Sequence, residues 1–483
     1  MTAATLKHPV SCIQPQSFEA EKHWYPKALN ATIHPMMSFF LNLSIDRIIK
    51  RYCHLQPRVK YAVLDELLSY VPKYFQWAGA DLIHVTNEKG ARHMAVIENN
   101  SCPSGQKSMP LLNDAQEQGG YRKLIEETFL PWLKGKRRVV KGALAVIYDK
   151  NPMEAEAYAG VMADVFNEPV YYAYYTDDQA SETIRFEKNV MQLLVEGEWI
   201  PIRAAFRYVT QRPWMRLPLQ GKTHIFNPII TCLAGGRNKM IAAKAYDLFN
   251  AELQESGLSI FTPQTIWDVS KAEIPLWVGK MGGQAVIKNP YSNAGQGVYT
   301  IVSQKELDEF MAIDFKYEQF IVQSLIGNYQ WSSISPQGRL YHVGTMPNKK
   351  GESFVCDIRM MVGATPSGIQ PICVYSRRSK MPLVDEIEDS TNSWDMLGTN
   401  LSIKLGDNQW NSDTNRLLLT DRRDFNTLGV GLDDLIEAYI QTVLSMIAID
   451  RMGKMLVGTK GQFKMSLFKS LNRDATLINE IMK

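Results

Sequence analysis

Residues 80–105 read ADLIHVTNEKGARHMAVIENNSCPSG. Two runs rich in alternating apolar and polar residues flank the turn NEKG, a pattern that predicts an antiparallel hairpin. In an extended strand residues i and i+2 share a face. Glu98 and Asn100 therefore point one way at the end of the second strand, and Asn99 points the other. A carboxylate and an amide oxygen side by side are hard ligands of the kind Mg²⁺ takes together with phosphate. A strand end whose polar residues meet water before a turn is the plainer reading, and the tripeptide alone favours it.

The surrounding chain narrows the choice. At 483 residues it is long enough for two to four domains with proper cores. Hydrophobic residues make up 45% and charged residues 21%, ordinary for a globular protein. Lys+Arg 53 against Asp+Glu 50 gives a net charge of +3, too balanced to argue for nucleic acid. The one basic cluster, Lys134 to Lys141, reads as a solvated strand entry. Six scattered cysteines without paired spacing fit a reducing compartment and no zinc site. The first residues have no apolar signal core, and no uncharged apolar run reaches the ~18 residues of a membrane span. The expected location is therefore cytoplasmic, with neither nucleic acid nor membrane as a partner. The apolar segment 432–449 carries Asp433, Asp434, Glu437 and Gln441 and reads as a half-buried helix.

Residues 140–175 alternate strand, helix and strand, a βαβ pattern that predicts a small parallel sheet. Residues 235–257 read as a long helix, and 353–363 with 369–377 as a second hairpin. Between them lies VIKNPYSNAGQGVYTI (286–301). Gly295 and Gly297 begin a dinucleotide fingerprint, but Thr300 stands where its third glycine belongs, and a strand follows instead of a helix. No Gly-Lys-Ser/Thr makes it a Walker loop, and the catalytic motifs of protein kinases are missing. A glycine loop between strands can still approach phosphates closely, with Lys288 as a point charge at the strand end. An ordinary hairpin with a long turn fits equally well.

Taken together, four segments resemble the ATP-grasp ligases. NKMIAAKAYDLFNAELQESGLSIFTPQT (238–265) is similar to their opening helix with a phosphate-binding lysine, here Lys239. AVIKNPYSNAGQGV resembles the lysine strand and mobile loop, FIVQSLIG (320–327) the strand that holds adenine, and FVCDIRMMVG (354–363) the strand whose Asp-x-Arg faces the reacting phosphate. The family's closing Asp and Glu-x-Asn do not follow Arg359. They match Asp81 and Glu98-x-Asn100 instead, an order that resembles the circularly permuted branch of glutathionylspermidine synthetase-like and eukaryotic glutathione synthetase-like proteins.

The resemblance implies a mixed α+β and α/β ATP-grasp fold, two α+β subdomains gripping ATP, with a small βαβ substrate domain. The implied divisions are 1–134 with the permuted hairpin, 135–235 as the substrate domain, and 236–483 as the nucleotide-binding region. It implies ATP and two Mg²⁺ ions. The implied metal ligands are Asp81, Glu98, Asn100 and Asp357, with Asp81 or Asp357 to compensate for an acid absent from the glycine loop. Lys239 and Lys288 would hold phosphates, and Ser292, Asn293, Gly295, Gln296 and Gly297 would close over them. Gln323, Ser324 and Leu325 would face adenine. Gln330 stands where a ribose-binding acid is common. Arg359 is the implied stabiliser of the tetrahedral oxyanion, Arg377 (or Arg378) the fork for the substrate carboxylate, and Asn400 a further site residue. Cys102 reads as site-lining. Arg203 and Arg207 are candidates for carboxylate recognition, though their spacing also fits ordinary exposed positions. The implied reaction joins a small-molecule or peptide carboxylate to an amine through an acyl phosphate. A phosphotransferase on the same cleft and a non-catalytic binding protein are the alternatives, and a homodimer is left open.

Overall fold

The computed structural model describes residues 10–113, 115–176, 180–210, 214, 216–292, 295–388, 391–406 and 409–482, with the side chains of 180–181, 403–406 and 409–411 left aside. It is a mixed α+β arrangement built on three main sheets.

The predicted hairpin forms from strands Trp77–Asn87 and Arg92–Asn100, with Asp81 opposite Glu98 and a register shift just beyond them. It does not stand alone. Strand Trp77–Asn87 also pairs antiparallel with Cys356–Thr365, which pairs with Gly368–Arg378 as the second predicted hairpin. Short strands Leu340–His342 and Leu417–Leu418 complete a six-stranded sheet. Segments far apart in the chain thus share one floor.

The βαβ reading holds. Strand Ala143–Tyr148 runs parallel to both Val170–Tyr174 and Glu198–Tyr208, and helix Pro152–Phe166 makes the crossover. Strand Val10–Ile13 adds to this sheet from the front of the chain. A third sheet, of strands Thr265–Ser270, Gln319–Gln323, Ala285–Lys288 and Val298–Ile301, has its own apolar core around Ile287, Phe310 and Phe320. A larger core runs continuously from the central sheet to the βαβ sheet.

Helix Leu432–Leu456 differs from its sequence reading. It is buried along most of its length, packed against the central sheet on one side and helices Lys239–Leu253, Ile45–Leu55 and Tyr61–Leu68 on others. Only its first turn keeps the polar face that the acidic residues advertised. Its lone deep carboxylate, Asp450, is 1% exposed and fully used. It accepts from Tyr70 Oη at 2.7 Å and from the amides of Lys73, Tyr74 and Phe75 at 3.1, 2.7 and 2.9 Å. These amides lie in the segment that leads into strand Trp77–Asn87. Among the described residues no helix is long and apolar enough to cross a membrane.

Asp450→Ala would strand three amides in the core. It should cost about 3–5 kcal/mol of unfolding free energy in urea titrations. A loss below about 1 kcal/mol would show that the segment holds its course without the carboxylate.

Candidate functional site

The third sheet faces the central sheet across a cleft of ≈ 980 Å³. Most residues singled out from the sequence line it: Asp81, Glu98 and Asn100 from the first hairpin, Asp357, Arg359 and Arg377 from the second, Lys239 from the start of helix Lys239–Leu253, and Lys288 and Gln323 from the covering sheet. Asn400, Ser324, Leu325, Gly295 and Gln296 line it too.

The centre is a cluster of alternating charge. Arg359 lies opposite Asp81 in the strand register and donates to both of its carboxylate oxygens at 2.5 Å. Arg377 lies opposite Asp357 and grips it with two nitrogens, while reaching Asp81 at 3.0 Å. Thr399 Oγ1 donates to Asp357 at 2.9 Å. All four charged side chains are buried. Burial pushes the Asp81 carboxyl up, but Arg359 and then Arg377 outweigh it and hold it well below the usual carboxylate range. Burial also disfavours the charged Arg377, yet Asp357 and Asp81 hold its pKa well above the ordinary value. Burial pushes the Asp357 carboxyl above its ordinary value, with Arg377 opposing. Asp81 and Asp357, both expected as metal ligands, direct their oxygens at guanidinium groups in this structure.

Glu98 is different. Its nearest partners are Lys239 at 3.3 Å and Asn100 Nδ2 at 3.4 Å, both long contacts. Burial raises this carboxyl, while Lys239, Arg359 and Lys288 bring it below its ordinary value. Lys239 Nζ also donates to the Ser292 carbonyl at 2.6 Å, tying it to the glycine loop. Among the described residues Lys288 Nζ has only a long bond to the Ile97 carbonyl, 3.4 Å. Burial lowers its pKa to about 8, with Glu98 opposing and Lys239 adding to the fall.

The loop from 289 to 297 bends through left-handed positions at Gly295 and Gly297, with φ of 74° and 71°. A Cβ at 297 would sit 2.8 Å from Asn289 Cβ and Ser292 Oγ. One at 295 would sit 3.0 Å from the Trp394 ring and 3.2 Å from Asn400 Nδ2. Both positions therefore call for glycine. Ser292 lies on this loop, donating to the Asn289 carbonyl at 2.9 Å. Asn293 lies outside the described residues.

On the strand Gln319–Gln323 and the residues after it, local partners already use several polar groups. Gln323 Nε2 donates to Thr265, the Ser324 amide to Gln264, and the Leu325 amide to Ser333 Oγ at 2.7 Å. Gln330 is exposed and donates to Tyr329 Oη, so it does not reach the cleft. His342, which sequence reasoning missed, lines this end instead. Burial lowers its pKa to about 4, keeping the ring neutral.

Arg203 is tied to Glu168 and the Gly142 carbonyl. Arg207 is 1% exposed and neither exposed nor in the cleft lining. It donates to the carbonyls of Asn227, Val209 and Ser101, joining the βαβ sheet to the residues after the first hairpin. Arg378 lies over the Phe354 ring. Cys102 lines the cleft, but its thiol donates to the Arg207 carbonyl at 3.1 Å and burial pushes it up to about 12, too high for a nucleophile. The far end of the cleft is walled by Tyr25, Ser104, Lys107, Lys150 and Asn151, none of which the sequence motifs flagged. One signal was present: Lys150 and Asn151 follow the first strand of the βαβ unit, and ligands gather at the carboxyl ends of parallel strands.

No protein-family model and no curated protein matches the chain. Solved structures similar to it include a glutathione synthetase-like effector from Globodera pallida, at 9% identity and a TM-score of 0.37, covering 72% of this chain and 86% of that one. A RimK-domain ATP-grasp protein from Sphaerobacter thermophilus aligns at 13% identity and a TM-score of 0.28, over 48% of this chain and 90% of that one. The ATP-grasp ligase PsnB in complex with its minimal precursor aligns at 13% identity and a TM-score of 0.26, over 63% of this chain and all 100% of that one. At such TM-scores the chemistry of the cleft has to be read from its own side chains.

The ion cluster gives a signed expectation. Asp81's contribution to stability is present above the unfolded carboxyl value near ~3.9 and is lost as pH falls through its depressed folded value. Arg359→Ala removes its main partner and should cost about 3–5 kcal/mol near pH 7. The Asp81 carboxyl then rises, so the deficit against wild type should shrink by about pH 4.5. Urea titrations at the two pH values check this, and an unchanged deficit would mean that Arg359 acts through packing alone.

Proposed function

We propose that this cleft binds ATP with Mg²⁺ and joins a carboxylate to an amine by way of an acyl phosphate. The observation that carries the reading is the placement of Lys239, Lys288 and Glu98 beneath a two-glycine loop, beside the Asp81–Arg359 pair. Two cations and a glycine loop suit a polyphosphate. Glu98 and Asn100 fit a Mg²⁺ ion, which takes one or two protein groups and leaves its other positions to phosphate and water. A bound Mg²⁺ would neutralise charge on the phosphates.

On this reading Lys239 and Lys288 hold the phosphates, and the 289–297 loop excludes water from the activated acid. The acid's carboxylate oxygen takes the terminal phosphoryl group as ADP leaves, and the amine then displaces phosphate. Arg359 stands at the centre as a fixed positive group whose orientation Asp81 sets. Asn400 and Trp394 meet the loop from the opposite wall. The first hairpin, early in the chain, completes the sheet carried by 356–378, which supports reading the chain order as a circular permutation of the ATP-grasp frame.

Titration calorimetry with a non-hydrolysable ATP analogue tests the nucleotide half. Lys288→Ala should weaken binding at least about tenfold, the loss of one charge-assisted contact. Wild-type affinity should fall as pH rises above about 8, where Lys288 loses its proton. Lys288→Arg stays charged and should flatten that dependence. A screen of acid and amine pairs for ADP release, with product masses, tests the chemical half. A stable phosphorylated product from one co-substrate, with no amide formed, would favour the phosphotransferase instead.

A further inference from the structure

Charge along the cleft is unevenly spent. Six cationic side chains line it, Lys107, Lys150, Lys239, Lys288, Arg359 and Arg377, against the three carboxylates of Asp81, Glu98 and Asp357. The two arginines are consumed by Asp81 and Asp357. Lys239 and Lys288 gather around Glu98 at the glycine-loop end. Two cations at the far end remain. Lys107 is partly matched, 3.8 Å from Glu154 Oε2 and 5.2 Å from the Tyr25 ring centre. Lys150 makes no hydrogen bond or ion pair among the described residues, although it is sunk in the cleft wall beside Arg359 and Arg237.

Lys150 is half-buried, and with no partner among the described residues its ammonium is free to meet an arriving anion. Burial lowers the pKa of Lys150, Asp149 opposes, and Arg237 and Arg359 add to the fall, so an arriving anion would relieve both desolvation and repulsion. The backbone beside it points to the same chemistry. Helix Pro152–Phe166, of 15 residues, starts directly after Asn151, and Asn151, Pro152 and Met153 all line the cleft. The Asn151 side chain makes no capping bond. A helix N-terminus carries partial positive charge and suits an anion. Glu154 in that first turn does not fill the role. It is 0% exposed and held by Ser104, the Gly105 amide at 2.6 Å and Tyr208 at 2.6 Å. Its task is to fix the 104–108 turn that forms the opposite wall.

We infer that Lys150, with Lys107 and the first turn of helix Pro152–Phe166, binds an anionic group of the acid substrate at the end of the cleft away from the glycine loop. The inference rests on the ligase reading for which substrate arrives there. The substrate class is then an acid with a second anionic group besides the carboxylate that is activated. A polyamine is the wrong partner for this end. It needs unpaired carboxylates, and those lining the cleft already face Arg359, Arg377 or Lys239.

Titration calorimetry of the full chain, saturated with the ATP analogue, tests this with glutarate, inorganic phosphate and spermidine as probes. Glutarate should bind and spermidine should not. Lys150→Ala should weaken glutarate at least about tenfold. Lys150→Arg should restore most of the affinity, and the ATP analogue should bind all three proteins alike, which also shows that they are folded. Phosphate binding more tightly than glutarate, with the same Lys150 dependence, supports the subsite with a phosphate-bearing acid. Glutarate and phosphate both failing to bind wild type, or binding Lys150→Ala undiminished, overturns the inference, as does tighter binding of spermidine. Failure of the ATP analogue itself would overturn the nucleotide reading, which is a separate result.

Discussion

The structure depends on a buried ionic cluster whose members come from opposite ends of the chain. Asp81 and Arg359 are 278 positions apart in sequence, yet they sit across from one another in adjacent strands. Asp357 and Arg377 repeat the arrangement one strand pair further on. Strand side chains alternate faces, so a one-residue slip of Trp77–Asn87 against Cys356–Thr365 would send Asp81 to the wrong side and leave the Arg359 guanidinium without its carboxylate in the interior. Apolar strands alone would tolerate several registers. The cluster penalises the wrong ones, and in doing so it places Glu98 and Asn100 beside Arg359 at the base of the cleft.

What the sequence disclosed and what it hid separate along physical lines. The hairpin around NEKG, the βαβ unit and the glycine loop are local patterns, set by period and turn chemistry, and each appears in the structure where it was expected. The identity of each charge's partner is not local. Asp81 and Asp357 read as metal ligands because a sequence displays a carboxylate without displaying the arginine that occupies it. Helix Leu432–Leu456 read as half-buried because Asp433, Asp434 and Glu437 sit in its first turns, whereas Asp450 is buried by amides supplied from residues 73–75. Lys150 belongs to no motif, because what sets it apart is the lack of any partner among the described residues, and no local pattern encodes that. Gln330 matches a ribose-binding position only by its place in the chain, and in the structure it is exposed and bonded to Tyr329 Oη.

The cleft couples two supports of different character. Its floor belongs to the continuous core and is pinned by ion pairs and by helix Leu432–Leu456. Its cover is a four-stranded sheet with a separate small core. A cover with its own core can shift as a body while the floor keeps its charges in register. That is the division a site needs if it must admit substrates and then exclude water.

Lys239 sits at the junction of the two. It begins a helix that packs on the floor, lies 3.3 Å from Glu98, and donates to the carbonyl of Ser292 on the covering loop. One ammonium therefore touches both a carboxylate of the cleft and the backbone of the glycine loop. A phosphate beside Lys239 would compete with both Glu98 and the Ser292 carbonyl for the same three donors. If the phosphate wins the contact with Glu98 while Ser292 keeps its bond, the loop is drawn toward the bound charge. If Ser292 is the bond given up, the loop is freed. The geometry favours the first outcome: the Ser292 contact is the shorter at 2.6 Å, and the Glu98 contact is already stretched. Loop position and phosphate occupancy are then linked through a single side chain. The glycines at 295 and 297 supply the backbone freedom that lets the linkage produce closure.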